Sequence, residues 1–144
     1  MESKDKLFQD TDVTLDHLSD RQPFAEYAHR LLALAETETV VACVSALSYS
    51  HLYYLLRKGR TREESLALLS KLKRLTKVLA VGESEIQSAL DSNFRDFEDA
   101  IQHFAAKAEG GIRVIITRNS SDYATSEIPV MSADEYLQMR EHKR

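Results

Sequence analysis

The sequence predicts a single α/β domain of three layers, in which helices cover both faces of a mostly parallel sheet of about four to five short strands. Short apolar or β-branched runs, such as residues 40–44 and 112–117, alternate with longer stretches of helical periodicity. The length of 144 residues suits one hydrophobic core. Only four glycines and two prolines interrupt the chain. No linker is evident, so residues 1–144 are predicted to form one domain.

Five short runs are predicted as strands, at residues 6–9, 40–44, 77–81, 112–117 and 128–130. The run at 112–117 is the clearest because it is rich in isoleucine and valine, which favour strands. The first run leads directly into Asp10. The fifth is short and contains a proline.

The first half of the chain carries four predicted helices. One is a short stretch from Val13 to about residue 19, and the next has Pro23 in its first turn and apolar residues through Ala35. The third begins at Ser45 or Ser48 and ends at Gly59. The fourth begins at Thr61, which forms a capping-box pattern with Glu64, and its Leu66, Leu69 and Leu72 are expected to face the core.

Three further helices are predicted in the second half, at residues 83–90, at 96–108 and from Ser132 onward. In the second of these, Phe97, Ala100 and Ile101 belong to the predicted apolar face. The glycines at 110–111 end it. Together with the strands, these helices complete the alternating pattern.

Composition excludes several classes of protein. Hydrophobic residues make up 43% and charged residues 29%, an ordinary globular balance. A net charge of −4 supplies no overall basic field for nucleic acid. The single Cys43, in the apolar run VVACV, is predicted to be a buried structural thiol. No apolar stretch is long enough to span a membrane, and the segment MESKDK lacks a signal-peptide core, so a cytoplasmic protein without a membrane partner is expected.

Aspartates occur where an α/β sheet places its ligands. Asp10 follows the first strand, Asp122 lies in the loop after the strand at 112–117, and Asp96 and Asp99 open a helix on one face. Ligands bind at the carboxyl ends of parallel strands, where loops and helix N-termini meet. Together the carboxylates favour a site for Mg²⁺ or Mn²⁺, which could support phosphodiester hydrolysis.

Each aspartate also has a structural explanation. Asp96 could be a helix cap, and Asp122 could be a turn residue. Asp10 is harder to explain in this way, because a bare charge at the end of a buried strand is costly unless it is paired or metal-bound.

The motifs around these residues resemble those of the PIN-domain family. Residues 10–13 (DTDV) are similar to its opening D-T-N-V, and 96–100 (DFEDA) to its D-x-x-D-A helix. Residues 115–123 (IITRNSSDY) resemble its strand followed by T-R-N-x-x-D-F. The segments at 128–130 and 134–137 also fit its ending. The resemblance spans nearly the whole chain in the family's order.

The resemblance implies a PIN-like fold and a Mg²⁺- or Mn²⁺-dependent endoribonuclease, a function common among VapC-type toxins of bacterial toxin–antitoxin pairs. Asp10, Asp99 and Asp122 would be the catalytic metal-site carboxylates, with Asp96 beside them. Thr117 and Asn119 would shape the rim of the pocket. RNA and an antitoxin protein are the implied partners, and homodimers are common in the family.

Two positions depart from the family pattern. The family usually carries a glutamate in the helix after the second strand, where this chain has His51 and no carboxylate between Glu38 and Glu63. A neutral imidazole can bind Mn²⁺ but adds no negative charge. His51 could equally be a polar residue on the helix shoulder. Asp12 replaces an asparagine, either restoring some charge or capping the next helix.

A basic cluster is the remaining candidate for RNA contact. Arg57, Lys58, Arg60 and Arg62 surround Gly59. Such clusters are usually solvated helix faces, but this one could follow a phosphate backbone in an otherwise acidic protein.

Two alternative functions remain. A PIN-like module with a weakened site could bind RNA or protein without cleaving it. More remotely, residues 10–14 (DTDVT) fit the D-x-D-x-T signature of haloacid-dehalogenase-type phosphatases, with Asp10 as nucleophile. That family needs a later acidic pair after a strand, whereas Asp96 and Asp99 open a helix with no apolar β-run before it.

Overall fold

The computed structural model describes residues 4–142. They form a five-stranded sheet in the order β3-β2-β1-β4-β5, with every neighbouring pair parallel. The strands are β1 (Asp5–Gln9), β2 (Val40–Ser45), β3 (Thr76–Leu79), β4 (Ile112–Ile116) and β5 (Val130–Met131). The helices are α1 (Thr11–Leu18), α2 (Ala25–Glu36), α3 (Ala46–Leu56), α4 (Arg62–Leu75), α5 (Glu83–Leu90), α6 (Phe97–Glu109) and α7 (Ala133–His142). A 3₁₀ turn, Ser120–Tyr123, follows β4.

The sheet is the middle layer of three, as the sequence predicts. In the central strand β1, Leu7 and Phe8 are both fully buried, although successive side chains of a strand point to opposite faces. Leu7 packs in a cluster that includes Ala28 of α2 and Tyr136 of α7. Phe8 packs in a second cluster with Ala106 of α6. Apolar layers therefore cover both faces of β1.

Helices α3 and α4 extend the first of these layers. Leu52 and Leu56 of α3 and Leu69 and Leu72 of α4 form a buried cluster with Leu15, Leu18, Leu32 and Ala42. Helix α5 packs on α6 through the cluster of Ala89, Ala100 and Ile101. The two sides are thus unequal, with α1, α2, α3, α4 and α7 on one face and α5 and α6 on the other.

Several predicted caps are present. Thr61 and Glu64 form the capping box, with both reciprocal hydrogen bonds made. Ser45, rather than Ser48, caps α3, its side chain accepting from the Ser48 backbone N–H at 3.2 Å. Gly59 takes a φ of 108° between α3 and α4, a conformation that residues with a Cβ rarely adopt. Because a cap needs only residues three apart, the sequence predicts it well.

Two local expectations about side-chain burial are wrong. Leu66 was expected to face the core but is 37% exposed, because α4 turns Ser65, Leu69 and Leu72 inward. Ser65 is tolerated there because its hydroxyl donates to the Thr61 carbonyl at 2.9 Å. Phe97 was assigned to the apolar face of α6 but is 49% exposed at the first position of the helix.

Two strand boundaries also differ from those predicted. Strand β3 is Thr76–Leu79, earlier than residues 77–81, because it continues directly from α4. Strand β5 is Val130–Met131, later than residues 128–130. Pro129 has no N–H to donate, although its carbonyl accepts from the Ile115 N–H at 2.8 Å. Over residues 4–142, no helix is long and apolar enough to cross a membrane.

Candidate active site

An acidic cleft opens at the carboxyl edge of the sheet, with a volume of about 150 Å³. Its lining residues come from the segments that follow β1, β2 and β4 and from the start of α6: Asp10, Thr11, Asp12, His51, Asp96, Glu98, Asp99, Gln102, Asn119 and Asp122. The cleft brings together every predicted site aspartate, although these lie up to 112 positions apart. Their roles as ligands or catalysts remain predictions.

Asp10 lies at the floor of the cleft, where β1 ends and α1 begins. It is 5% exposed and is the N-cap of α1, its Oδ1 accepting from the Val13 N–H at 3.0 Å. Its Oδ2 accepts a hydrogen bond from the hydroxyl of Thr117. Burial raises the pKa of Asp10 to about 7, although both hydrogen bonds favour the charged form. This buried carboxyl would be stabilised in its ionised form by a cation.

Asp99 lies in the first turn of α6. Its pKa is raised to about 7, first by burial and then by the nearby charges of Asp96, Asp10 and Asp122. Asp96 is the N-cap of α6, which is the structural explanation that the sequence allowed for it. Its Oδ1 accepts a hydrogen bond from the Asp99 N–H at 2.9 Å. The hydroxyl of Tyr123 donates to Asp99 Oδ1 at 3.3 Å. Helix capping therefore explains the position of Asp96, but it does not offset the negative charges that oppose the ionisation of Asp99.

The loop after β4 holds the rim of the cleft. Thr117 does not line the cleft but contacts it from behind, because its Oγ1 donates to Asp10 and accepts from the Asn119 N–H at 3.0 Å. The Asn119 side-chain amide donates to Asp12 Oδ2 at 3.3 Å. Asp122 lies in the 3₁₀ turn, its N–H bonded to the Asn119 carbonyl at 3.0 Å.

Asp12 does not cap α1, contrary to one of the two explanations that the sequence allowed, because Asp10 occupies that position. Asp12 lies in the first turn of α1 and lines the cleft. It therefore adds negative charge to the rim, which agrees with the other explanation.

His51 faces the cleft and has an acidic partner there. Its Nδ1 lies 3.0 Å from Oε1 of Glu98, a residue of α6. Glu98, Gln102 and Thr11 also line the cleft, although they are not among the site residues predicted from the sequence. Gln102 could have been found from helical spacing, since positions 98, 99 and 102 share one face of α6. No local signal links Glu98 to His51, which is 47 positions away.

The basic cluster lies apart from this cleft. Arg57, Lys58, Arg60 and Arg62 are in and beside the turn between α3 and α4, and none of them lines the cleft. Lys58 lies over the ring of Tyr54, with its Nζ 4.9 Å from the centroid. Their contact with RNA remains a prediction.

The donor set suits a hard divalent cation. Oxygen ligands, mostly carboxylates, are those that Mg²⁺ and Mn²⁺ prefer. Within residues 4–142, no three acidic, histidine or cysteine side chains converge into a ready-made ligand cluster. Like-charged carboxylates repel one another, and Asp10 and Asp99 are instead held by the hydroxyls of Thr117 and Tyr123. The chemistry of the site fits a metal ion that would draw the carboxylates together.

Comparison with known proteins identifies the family. The PIN domain model matches residues 6–121. The chain belongs to the PIN-domain family. It is similar to the curated protein Ribonuclease VapC1 from Aquifex aeolicus (strain VF5), with 23% identity over 141 residues, covering 94% of this chain and 96% of that protein. Membership confirms the resemblance seen in the sequence motifs.

Solved structures confirm the PIN-like α/β/α fold. One is Mycobacterium tuberculosis VapC20, described as a sarcin–ricin loop cleaving toxin, with a TM-score of 0.64, 19% identity and coverage of 83% of this chain and 94% of that one. Another is a toxin–antitoxin complex from Klebsiella pneumoniae, with a TM-score of 0.65, 20% identity and coverage of 88% and 97%.

Proposed function

We propose that this PIN-domain protein is a Mg²⁺- or Mn²⁺-dependent endoribonuclease of the VapC type. The observation that carries the proposal is the crowding of Asp10, Asp96, Asp99 and Asp122 around one cleft at the carboxyl edge of the sheet. Carboxylates that line one cleft and oppose the ionisation of Asp99 favour a cation among them, and a metal beside a cleft open to solvent can serve phosphodiester hydrolysis. The similarity to Ribonuclease VapC1 supports RNA as the substrate.

In this proposal, Asp10, Asp99 and Asp122 hold the ion, with Asp96 beside them. When bound, the ion supplies positive charge for a phosphate oxygen and lowers the pKa of a water. Thr117 orients Asp10 by donating to its Oδ2, and Tyr123 orients Asp99 by donating to its Oδ1. The second oxygen of Asp99 has no hydrogen-bond partner among the contacts of the described residues, so it is available to a ligand.

RNA would approach this acidic cleft with the help of the basic cluster. The phosphate backbone is repelled by a net charge of −4, and Arg57, Lys58 and Arg62 are exposed cations on one turn. Replacing these three by glutamine should weaken RNA binding and reduce its dependence on salt. Fluorescence anisotropy of labelled RNA at several salt concentrations measures both quantities.

An antitoxin protein is the proposed partner. Its support is the similarity to the toxin–antitoxin complex from Klebsiella pneumoniae. A small protein encoded beside this chain should copurify with it and block RNA cleavage.

The nuclease proposal is tested by RNA cleavage with Mg²⁺ or Mn²⁺ and with EDTA. Asp99→Asn should reduce cleavage by about 100-fold or more, because it removes a charged ligand while leaving the shape of the side chain nearly unchanged. Asp91→Asn is the matched control, since Asp91 is exposed at the end of α5 and does not line the cleft. If neither metal supports cleavage, or if Asp99→Asn cleaves like the Asp91→Asn control, the proposal is wrong.

The second candidate is a binding module that does not cleave. The observation favouring it is His51, which leaves the α3 wall of the cleft without a negative charge. In this case the protein would bind RNA in the anisotropy assay, whereas no cleavage would occur with either metal.

A further inference from the structure

The α3 wall of the cleft lacks a carboxylate, but the opposite wall reaches across to it. Glu98 extends from α6 so that its Oε1 lies 3.0 Å from His51 Nδ1 and 3.5 Å from Thr11 Oγ1. Its side chain is 33% exposed and lines the cleft. One negative charge therefore lies against the face of α3 that has none of its own.

The position of Glu98 has a physical cause. It follows Asp96 and precedes Asp99, so like charges on its own helix disfavour its staying beside them. The donors that could hold it away from them are His51 on α3 and Thr11 on α1. When His51 donates from Nδ1, it fixes Oε1 and leaves the second oxygen of Glu98 free of hydrogen bonds among the described residues.

A second observation points to a ligand beside Glu98. Gln102, one helical turn further along α6, is 1% exposed and lines the cleft, yet its Oε1 has no hydrogen-bond partner among the described residues. Its amide donates to Thr11 Oγ1 at 3.3 Å, and Thr11 Oγ1 also lies 2.8 Å from Ser48 Oγ. A buried acceptor left unpaired costs about 1–3 kcal/mol. A cation or its bound water would satisfy this oxygen.

We propose that Glu98 supplies the fourth carboxylate of the metal site from α6, and that His51 is the positioning residue that holds it. This inference rests on the metal site of the proposed function. In this arrangement, α6 provides the carboxylate that α3 lacks, and a hydrogen bond from His51 holds that carboxylate in place. Gln102 Oε1, which is unpaired among the described residues in the wall of the same cleft, would accept a hydrogen bond from a water bound to that ion.

The test is to measure Mn²⁺ binding to the full chain. Isothermal titration calorimetry gives the affinity, and the EPR signal of free Mn²⁺ gives the unbound fraction independently. Glu98→Gln should weaken Mn²⁺ binding by about 100-fold or more, because losing a charged ligand should cost at least as much as losing a group that only orients a ligand, which costs about 10- to 100-fold. His51→Gln should weaken it by about 10-fold, because the carboxylate remains but loses its anchor. Glu83→Gln is the control, since Glu83 is exposed in the first turn of α5 and outside the cleft.

A charge-exchange variant separates positioning from a general structural effect. His51→Glu combined with Glu98→Gln moves the carboxylate to α3, and this double variant should recover most of the affinity that Glu98→Gln loses. Thermal unfolding without metal checks that each variant folds. The inference is overturned if Glu98→Gln binds Mn²⁺ like the wild type, if the double variant binds no better than Glu98→Gln alone, or if the wild type binds no Mn²⁺.

Comparing Mn²⁺ binding with RNA cleavage distinguishes a failure of this inference from a failure of the proposed ribonuclease function. Mn²⁺ binding that depends on Glu98, in a wild-type protein that cleaves no RNA, would support the fourth ligand and contradict the proposed ribonuclease. If cleavage requires Asp99, and Glu98→Gln changes neither cleavage nor Mn²⁺ affinity, the ribonuclease proposal is supported and the role of Glu98 as a ligand is contradicted.

Discussion

Asp99→Asn should stabilise the metal-free protein at pH 8 while abolishing the stabilisation that metal provides. An unperturbed aspartate has a pKa of 3.8, whereas the pKa of Asp99 in the folded protein is raised to about 7. The cause is burial first, and then the charges of three neighbouring aspartates. At pH 8 both the folded and unfolded states carry this charge, but only the folded state holds it in the acidic cleft. The asparagine removes that penalty.

The magnitude follows from the size of the shift. Raising a pKa from 3.8 to about 7 corresponds to about 4 kcal/mol of lost stability in a fully buried site. Asp99 is only partly buried, and solvent screening reduces the expected gain for Asp99→Asn to about 1–2 kcal/mol. For a domain of this size, the melting temperature should rise by about 3–8 °C.

The pH dependence gives the sharper test. The stability associated with a raised carboxyl pKa is fully present below pH 3.8 and is lost as the pH rises through about 7. The advantage of Asp99→Asn should therefore be largest at pH 8 and nearly absent at pH 4. Thermal unfolding in EDTA, with Asp91→Asn as the control, measures this difference. A melting temperature for Asp99→Asn at or below that of the control at pH 8 would refute the electrostatic reasoning.

Three further predictions concern groups outside the cleft. Asp16 is 1% exposed and pairs with both Arg21 and Arg118 at 2.8 Å, so Asp16→Ala should lower the free energy of unfolding by about 3 kcal/mol in urea titrations; an unchanged midpoint would contradict this. Cys43 is fully buried and its pKa is raised to about 11, so a thiol reagent at pH 8 should label it only in the unfolded protein, and rapid labelling under native conditions would refute its burial. Burial lowers the pKa of His17 to about 4, so between about pH 6.5 and pH 4 the unfolded state binds a proton at this residue that the folded state does not. The free energy of unfolding therefore falls as the pH drops through that range. His17→Gln should lose less stability than the wild type over that range, and parallel melting curves for the two proteins would argue against this shift.

Local sequence patterns predicted most of the fold because the relevant interactions are short in range. The capping box at Thr61 and Glu64 depends on residues three apart. The β-branched run of β4 needs only its own composition to favour a strand. Leu66 was assigned wrongly because helical periodicity allows more than one inward face, and packing against α3 and the neighbouring core turns Ser65 inward instead.

The same limit applies to the candidate site. Asp10 and Asp122 were predictable because each follows a strand, and the carboxyl ends of parallel strands meet at one edge. The pairing of His51 with Glu98 was not predictable, since it joins helices on different sides of the cleft. The ion pair of Asp16 with Arg118 spans 102 positions and likewise left no local pattern.

The sequence by itself determined the order of strands and helices, the family and the aspartates that could form an acidic cleft. Each of these depends on hydrophobic periodicity, capping or ordered motifs along the chain. Only the tertiary structure decided which side chains line the cleft together with those aspartates, and Glu98 and Gln102 are among them. The physical reason is that charge and hydrogen bonding act through space. The carboxylate that lies against α3 is carried by α6, and no pattern within either helix records that contact.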